Sequence, residues 1–258
     1  MQTLAATSIG SKVPQRNFEG VVSGSFERTC NLTLQDRAII TCAVKDHFNM
    51  PRGIVIETSK EFKFNQFIAG GTPSHCRGNI VRFANSDIKL DLRDASIWQP
   101  DFTSIAKPSN HLILKLWQNT EIFYKSLMSN WAHHKANLPV QDLIGRGPGL
   151  TPLGDDILTG ALSALSLLGQ PMPDITHALH LTNDISRQML SDAAEGQIIE
   201  SIISLMAALY NDQPIEQPVQ ELLKVGSMSG AAMLLGVIAG IAHSENYQLS
   251  NPIHLKAA

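Results

Sequence analysis

The sequence predicts an α+β protein with a strand-rich, mostly antiparallel N-terminal half and an all-helical C-terminal half. Short β-prone runs separated by turn residues continue to about Trp98. The proline-containing stretch 98–108 then has the composition of a linker, and apolar residues at helical spacing follow it. We therefore expect a strand-rich domain at residues 1–108 and a helical domain carrying glycine-rich loops at residues 109–258.

The strands of the first half are predicted from β-branched, aromatic and alternating residues between turn signals. In the last of these runs Ile88, Leu90 and Leu92 alternate with charged residues, which indicates a sheet with one solvated face. Since no helical pattern separates the runs, an antiparallel sandwich or a barrel-like sheet is expected. The predicted strands are 18–26, 37–44, 54–56, 79–83 and 88–92.

The helices of the second half are predicted from apolar stripes bounded by prolines and capping residues. Gly196 lies inside one of these patterns and costs about 1 kcal/mol relative to alanine, so it indicates either close packing or a break in the helix. The predicted helices are 110–134, 157–168, 174–189, 192–210, 215–225 and 229–243.

The composition limits the classes of partner. The 258 residues carry a net charge of −3 and no lysine or arginine cluster, which argues against a nucleic-acid or anionic-membrane surface. Small molecules or proteins are the expected partners. Residues 1–13 lack the pattern of a signal peptide, and the apolar runs 157–168 and 231–242 fall short of the ~20 residues of a membrane span. A cytoplasmic location is therefore expected.

Common catalytic motifs based on metals or nucleophiles are not found in the sequence. Cys30, Cys42 and Cys76 lack metal or redox spacing, so they are expected to be reduced, buried and structural. His177 and His180 could share a helix face, but no third ligand is spaced to join them, so no metal site is expected. No nucleophile elbow is present. These features favour reactions driven by positioning and electrostatics.

The segment 144–160 is the most distinctive of the chain. Gly145, Gly147 and Gly149 can adopt positive φ and allow a ligand to approach the backbone. Thr151 and Pro152 have the sequence of an N-cap and a first helical residue. The helix start, together with the neighbouring Arg146, is therefore predicted to bind a small anion. The spacing fits neither a dinucleotide fingerprint nor a Walker A loop.

Two acids, Asp155 and Asp156, follow in the first turn of this helix. Adjacent carboxylates repel a bare phosphate, so they suggest either a bridging cation such as Mg²⁺ or a ligand that offers N–H donors as well as an anionic end. The alternative is structural: the acids stabilise the helix dipole and the glycines form a tight turn.

A second loop, 226–230, also contains glycines and also precedes a predicted helix. Ser229 is a plausible N-cap and Gly230 allows close approach, so a second helix start could face the same ligand. A structural helix start is the alternative. Our candidate catalytic residues are Asp155, Asp156 and Arg146, and the candidate substrate-binding residues are Gly147, Gly149, Thr151, Ser229 and Gly230.

The run 145–152 with Asp155, Asp156 and Gly160 resembles the AllH (YlbF-like) family, long catalogued as a domain of unknown function. The second loop agrees with that family's Gly-His-x-Ser-Gly-x-Asp-x-Leu-x-Gly pattern at five positions: Gly226, Ser229, Gly230, Leu234 and Gly236. The resemblance implies a subunit of oxamate carbamoyltransferase, which moves a carbamoyl group between carbamoyl phosphate and oxamate in allantoin and purine breakdown. Partner subunits are implied as well. From the residues themselves we expect no cofactor, with Mg²⁺ as the one alternative.

The sequence departs from the family pattern at two positions, because Ser227 replaces the histidine and Ala232 replaces the aspartate. Roles of those two groups therefore do not carry over. Three hypotheses follow: an enzyme subunit that binds a small anion between the loops, a non-catalytic scaffold or regulatory subunit, and a phosphotransferase that uses Asp155 and Asp156 to hold Mg²⁺.

Overall fold

The computed structural model describes residues 1–45, 48–102, 116, 137–244 and 254–256. The chain divides into two compact units, Met1–Pro100 and Asp101–Ala258. The first contains strands and the second mainly helices, so the α+β fold class is confirmed. The predicted boundary between residues 108 and 109 lies outside the described residues and stays a prediction.

The N-terminal unit is a closed barrel, and β1 closes it. Strand β1 pairs antiparallel with β5 on one edge, where Ala6 faces Ile56. Its other edge pairs in parallel with β8, where Leu4 faces Leu90, and then with β9. The ring runs β1-β5-β4-β3-β2-β6-β7-β8. The strands are β1 Gln2–Gly10, β2 Phe18–Ser25, β3 Thr29–Leu34, β4 Ile39–Val44, β5 Gly53–Ile56, β6 Pro73–Arg77, β7 Ile80–Phe83, β8 Ile88–Asp91 and β9 Ser96–Trp98.

All five predicted strands are present, and the sequence analysis missed β1, β3, β6 and β9. The pairing is mostly antiparallel, as predicted, with parallel contacts at β4–β5, β1–β8 and β1–β9. The three cysteines are free and buried, as expected, and lie in the barrel core. Burial raises the pKa of Cys30 to about 12, so this thiol is unreactive.

The helical unit contains six helices among its described residues. They are α1 Val140–Leu143, α2 Leu153–Leu167, α3 Asp184–Ala194, α4 Glu200–Tyr210, α5 Glu216–Leu223 and α6 Ser229–Ser244. A parallel pair of short strands, β10 Asn137–Pro139 and β11 His254–Lys256, accompanies them. The predicted helix 110–134 lies outside the described residues except for Leu116. No described helix has both the length and the apolar character needed to cross a bilayer.

Two predicted helices have different bounds in the structure. Helix 192–210 is broken at Gly196, which has φ of 72° and separates α3 from α4. Helix 174–189 is divided into a 3-10 turn, Thr176–Leu181, and α3, because Asn183 caps α3 with its side chain. The break at Gly196 was one of the two predicted alternatives.

Helices α2 and α6 pack with their backbones almost in contact. A Cβ atom added at Gly236 would lie 1.9 Å from the Ile157 carbonyl oxygen, and one added at Gly160 would lie 2.0 Å from that of Met233. Residue numbers rise together along the contact, since Gly236 meets Ile157 and Gly240 meets Ala161. The two helices are therefore parallel, and their N-terminal ends lie at the same end of the unit.

Candidate functional site

The two glycine loops meet at the N-terminal ends of α2 and α6. The Thr151 hydroxyl oxygen lies 3.1 Å from that of Ser229. These residues come from loops 78 positions apart in the sequence, and the parallel helix pair brings them together. The structure thus places the second helix start beside the first, as predicted.

Asp156 interacts with both of these hydroxyls. Its side chain is 1% exposed, and its Oδ2 accepts a 3.0 Å hydrogen bond from the Thr151 hydroxyl. Its Oδ1 has no hydrogen-bond partner among the described residues. Burial raises the pKa of Asp156 to about 7, against the opposing effect of the Ser229 and Thr151 hydroxyls, and Asp155 raises it further. A carboxyl with this pKa exchanges a proton near neutral pH.

Asp155 has a different environment, in which both of its oxygens are used within the protein. The Gly145 N–H donates to Oδ1 at 2.7 Å, and the Thr182 hydroxyl donates to Oδ2. The residue is completely buried. Asp155 therefore fastens the first glycine loop to the segment that precedes α3.

Three residues outside the set of candidate site residues support this arrangement. Thr182 bonds Asp155, and Asn183 donates from its side chain to the Leu150 carbonyl at 2.9 Å. Arg187 holds the Thr182 carbonyl at 3.1 Å and the Asp184 carboxylate at 2.7 Å. The Asn183 cap was a detectable signal, but it was hidden inside the continuous helix predicted for 174–189.

The start of α2 differs from the prediction. The N-cap residue is Pro152, which has no side-chain acceptor to cap the helix, and the hydroxyl of Thr151 bonds Asp156. The Gly154 N–H donates to the Arg146 carbonyl at 2.9 Å, and the Asp155 N–H donates to that of Pro152 at 2.9 Å. These two N–H groups already have partners within the protein, so they are less available to an anion than the sequence predicted.

The glycines of the site have two distinct uses. Gly145, Gly147 and Gly149 have φ of 72°, 94° and 112°, as their predicted role in a shaped loop requires. Gly230 is buried, and a Cβ atom there would lie 2.0 Å from the Leu222 carbonyl oxygen. Its backbone therefore packs against the end of α5. Arg146 and residues 147–150 are exposed to solvent.

The Mg²⁺ hypothesis gains no support from the donor set. Both oxygens of Asp155 already accept hydrogen bonds, which leaves Asp156 to supply an unpartnered carboxylate oxygen. No group of three potential metal ligands occurs among the described residues. His177 and His180 lie in the 3-10 turn, where the His180 ring nitrogen contacts the His177 carbonyl at 2.9 Å.

The fold and site define a protein with a β-barrel unit and a helical unit, in which two glycine loops enclose a buried acid. Comparison with protein families identifies both parts. Residues 143–241 match the family model described as oxamate carbamoyltransferase subunit AllH, and residues 4–97 match that of the AllH family N-terminal domain. The chain belongs to the AllH family. No solved structure matches it.

Proposed function

We propose that this chain is a subunit of a carbamoyltransferase that acts on oxamate and carbamoyl phosphate in allantoin breakdown, and that it binds a small anionic ligand where Thr151 and Ser229 meet. The observation that carries the proposal is the buried Asp156, which accepts from the Thr151 hydroxyl beside Ser229 and keeps its other oxygen without a hydrogen-bond partner among the described residues. The family description supports the carbamoyltransferase role.

The reaction requires a group that accepts a proton. When the oxamate nitrogen attacks the carbonyl carbon of carbamoyl phosphate, a C–N bond forms and the C–O bond to phosphate breaks. The nitrogen must lose a proton, and the phosphate leaves with the electron pair. A carboxyl with a pKa of about 7 is suited to accept that proton near neutral pH.

Because Asp156 is almost fully buried, we infer that the proton reaches it through Thr151. The Thr151 hydroxyl already donates to Asp156, so it can pass its proton inward while it receives one from the ligand. Ser229 would hold the ligand from the α6 side, and the exposed Arg146 would neutralise its phosphate or carboxylate. Asp155 has a positioning role in this proposal, since its oxygens hold Gly145 and Thr182.

The test is turnover of the reconstituted transferase with Asp156→Asn and, separately, Ser229→Ala. Loss of the proton acceptor should lower kcat by roughly 100-fold, whereas loss of the Ser229 hydroxyl should mainly raise KM. The wild-type rate should rise as pH increases through about 7, and the Asp156→Asn variant should lack this rise. Asp212→Asn, at an exposed acid that follows α4, is the matched control. Full activity of both site variants would refute the proposal.

A scaffold or regulatory subunit is the alternative, and the partners already present on the Gly154 and Asp155 N–H groups favour it. A thermal-unfolding titration separates the two. Oxamate or carbamoyl phosphate at 100 times its dissociation constant should stabilise a binding chain by about 2.7 kcal/mol, with inorganic phosphate as comparator. Stabilisation that disappears in Ser229→Ala supports a substrate site. Turnover unaffected by every site variant, in a complex that needs this chain to assemble, would favour the scaffold.

A further inference from the structure

Three exposed apolar side chains lie on the chain segments that form the site, and nothing in the proposed chemistry uses them. Within residues 142–244, the large hydrophobic side chains that are exposed are Leu150 at 61%, Leu181 at 53% and Met228 at 40%. Each comes directly before a site residue: Leu150 before Thr151, Leu181 before Thr182 and Met228 before Ser229. We call these three side chains the loop collar.

Hydrogen bonds and close backbone contacts hold the loop collar together. Asn183 fixes the Leu150 carbonyl at 2.9 Å, and the Thr151–Ser229 contact fixes the segment that carries Met228. The Leu181 carbonyl packs so closely on Gly145 that a Cβ atom there would lie 2.2 Å from it. Three separate chain segments therefore present their apolar residues from a preorganised backbone, which lowers the entropic cost of binding.

A small substrate does not account for the loop collar. Oxamate and carbamoyl phosphate consist of polar groups. Hydroxyls and Arg146 can hydrogen-bond such groups, whereas leucine and methionine side chains cannot. Exposed apolar side chains grouped around a polar centre are instead characteristic of a protein interface.

The charge of the surface argues against a second copy of this chain. A two-fold contact centred on this site would bring the exposed Arg146 of both copies into one interface. Asp184, an acid on the adjoining segment, is already paired with Arg187 at 2.7 Å. Like charges without a counter-ion oppose such a contact.

We propose that the loop collar is the docking surface of a different subunit, which contributes an apolar patch bordered by an acidic side chain and covers the Thr151–Ser229 site. This inference rests on the proposed function, because it assumes that the chain acts within a carbamoyltransferase complex. It adds that the site is completed by the partner and is open to solvent in the isolated chain.

The experiment measures thiol labelling of Leu181→Cys and Met228→Cys in the isolated chain and in the intact complex purified through a tag on this chain. The native cysteines give little background, because Cys30, Cys42 and Cys76 are buried and burial raises the pKa of each. Gln220→Cys, at an exposed position of α5, is the control.

The collar cysteines should react rapidly in the isolated chain and at least roughly tenfold more slowly in the complex, while the rate at residue 220 stays unchanged. Unchanged labelling in the complex would overturn the inference. Protection of the collar cysteines in the isolated chain would overturn the inference too. If that protection does not depend on protein concentration, this chain itself covers the collar. If it increases with concentration, a second copy of the chain covers it.

The labelling result is independent of turnover. An active complex with an unprotected collar would refute the docking surface and leave the proposed function intact. A protected collar in a complex that does not transfer carbamoyl groups would support the docking surface and refute the proposed function. If the chain purifies without partners, both the docking surface and the proposed function are refuted.

Discussion

Asp155 and Asp156 are neighbours in the sequence, yet the structure gives them different chemistry. Asp155 accepts two hydrogen bonds from other parts of the chain, while Asp156 keeps one oxygen without a partner among the described residues. Consecutive residues in a helix point about 100° apart, so one acid turns toward Gly145 and Thr182 and the other toward Thr151. At this scale the two acids differ in their hydrogen bonding: Asp155 is fully bonded, and Asp156 is the one to which the proposed function assigns the proton transfer.

The structural role of Asp155 predicts a large loss of stability on truncation. Asp155→Ala leaves the Gly145 N–H and the Thr182 hydroxyl unpaired next to a buried space. The free energy of unfolding should fall by about 3 kcal/mol, since two hydrogen-bond donors lose their acceptor in a buried place. Denaturant unfolding measures this. Glu221→Ala, at an acid on the surface of α5 that pairs with Lys224, should change stability by less than about 1 kcal/mol, and equal effects would contradict the role assigned to Asp155.

The raised pKa of Asp156 predicts that stability falls with increasing pH. The folded-state pKa of about 7 lies above the ordinary value of 3.8, so the folded protein holds this proton more tightly than the unfolded chain. The stabilisation is complete below the unfolded pKa and is lost as pH rises through about 7. From about pH 5 to about pH 8 this one group should cost up to about 3 kcal/mol.

Comparison with Asp156→Asn isolates this effect, because asparagine has no charge to bury. The stability of the variant relative to wild type should increase with pH, as measured by denaturant unfolding at several pH values. Asp212→Asn, at an exposed position, controls for substitution of any acid. A difference between variant and wild type that stays constant with pH would show that Asp156 does not titrate in this range.

At the scale of elements, the helix pair α2–α6 determines where the site lies. Close contact at Gly160 and Gly236 is possible only without side chains there. The parallel arrangement brings both glycine loops to one end, and thus Thr151 to Ser229. Gly160 and Gly236 therefore position the site by allowing the two helices to pack closely, although neither glycine lies in the glycine loops.

Gly236→Ala should accordingly disrupt both stability and site. The added methyl group would lie 1.9 Å from the Ile157 carbonyl oxygen. Because this oxygen belongs to the backbone of α2, the clash can be relieved only if one of the two helices moves. The free energy of unfolding should fall by at least about 2 kcal/mol, as in other overpacked cores. Urea unfolding measures it. Gly70→Ala is the control, because a Cβ atom there meets nothing within 4 Å. Unchanged stability of Gly236→Ala would disprove the close packing.

The sequence predicted elements where the local signal is strong. Three loop glycines indicated positive φ, and Gly196 indicated a possible break, because each depends on the residue's own backbone preferences. The helix start at Thr151 was predicted incorrectly, since its hydroxyl found a buried tertiary partner in Asp156. Thr182 was missed for the same reason: its bond to Asp155 spans 27 residues and leaves no local pattern.

At the scale of the whole molecule, β1 shows why the barrel was predicted only in outline. Its sequence mixes small and polar residues, so the buried Leu4, Ala6 and Ile9 form a weak alternating pattern. The strand is nevertheless the element that closes the barrel, with pairings to β5, β8 and β9. Closure depends on contacts distant in sequence, which composition and periodicity do not encode.

This closure predicts that residues 1–100 fold as an independent unit. The unit has its own buried core, and its strands form a closed ring through the pairings of β1 with β8 and with β5. A fragment ending at Pro100 should therefore unfold cooperatively. Removing residues 1–10 deletes β1 and exposes the edges of β5 and β8, and this shorter fragment should be unfolded or aggregate. Circular dichroism with urea titration compares the two. A fragment 1–100 without a cooperative transition would show that the barrel needs the rest of the chain, and a folded 11–100 would show that β1 is dispensable for closure.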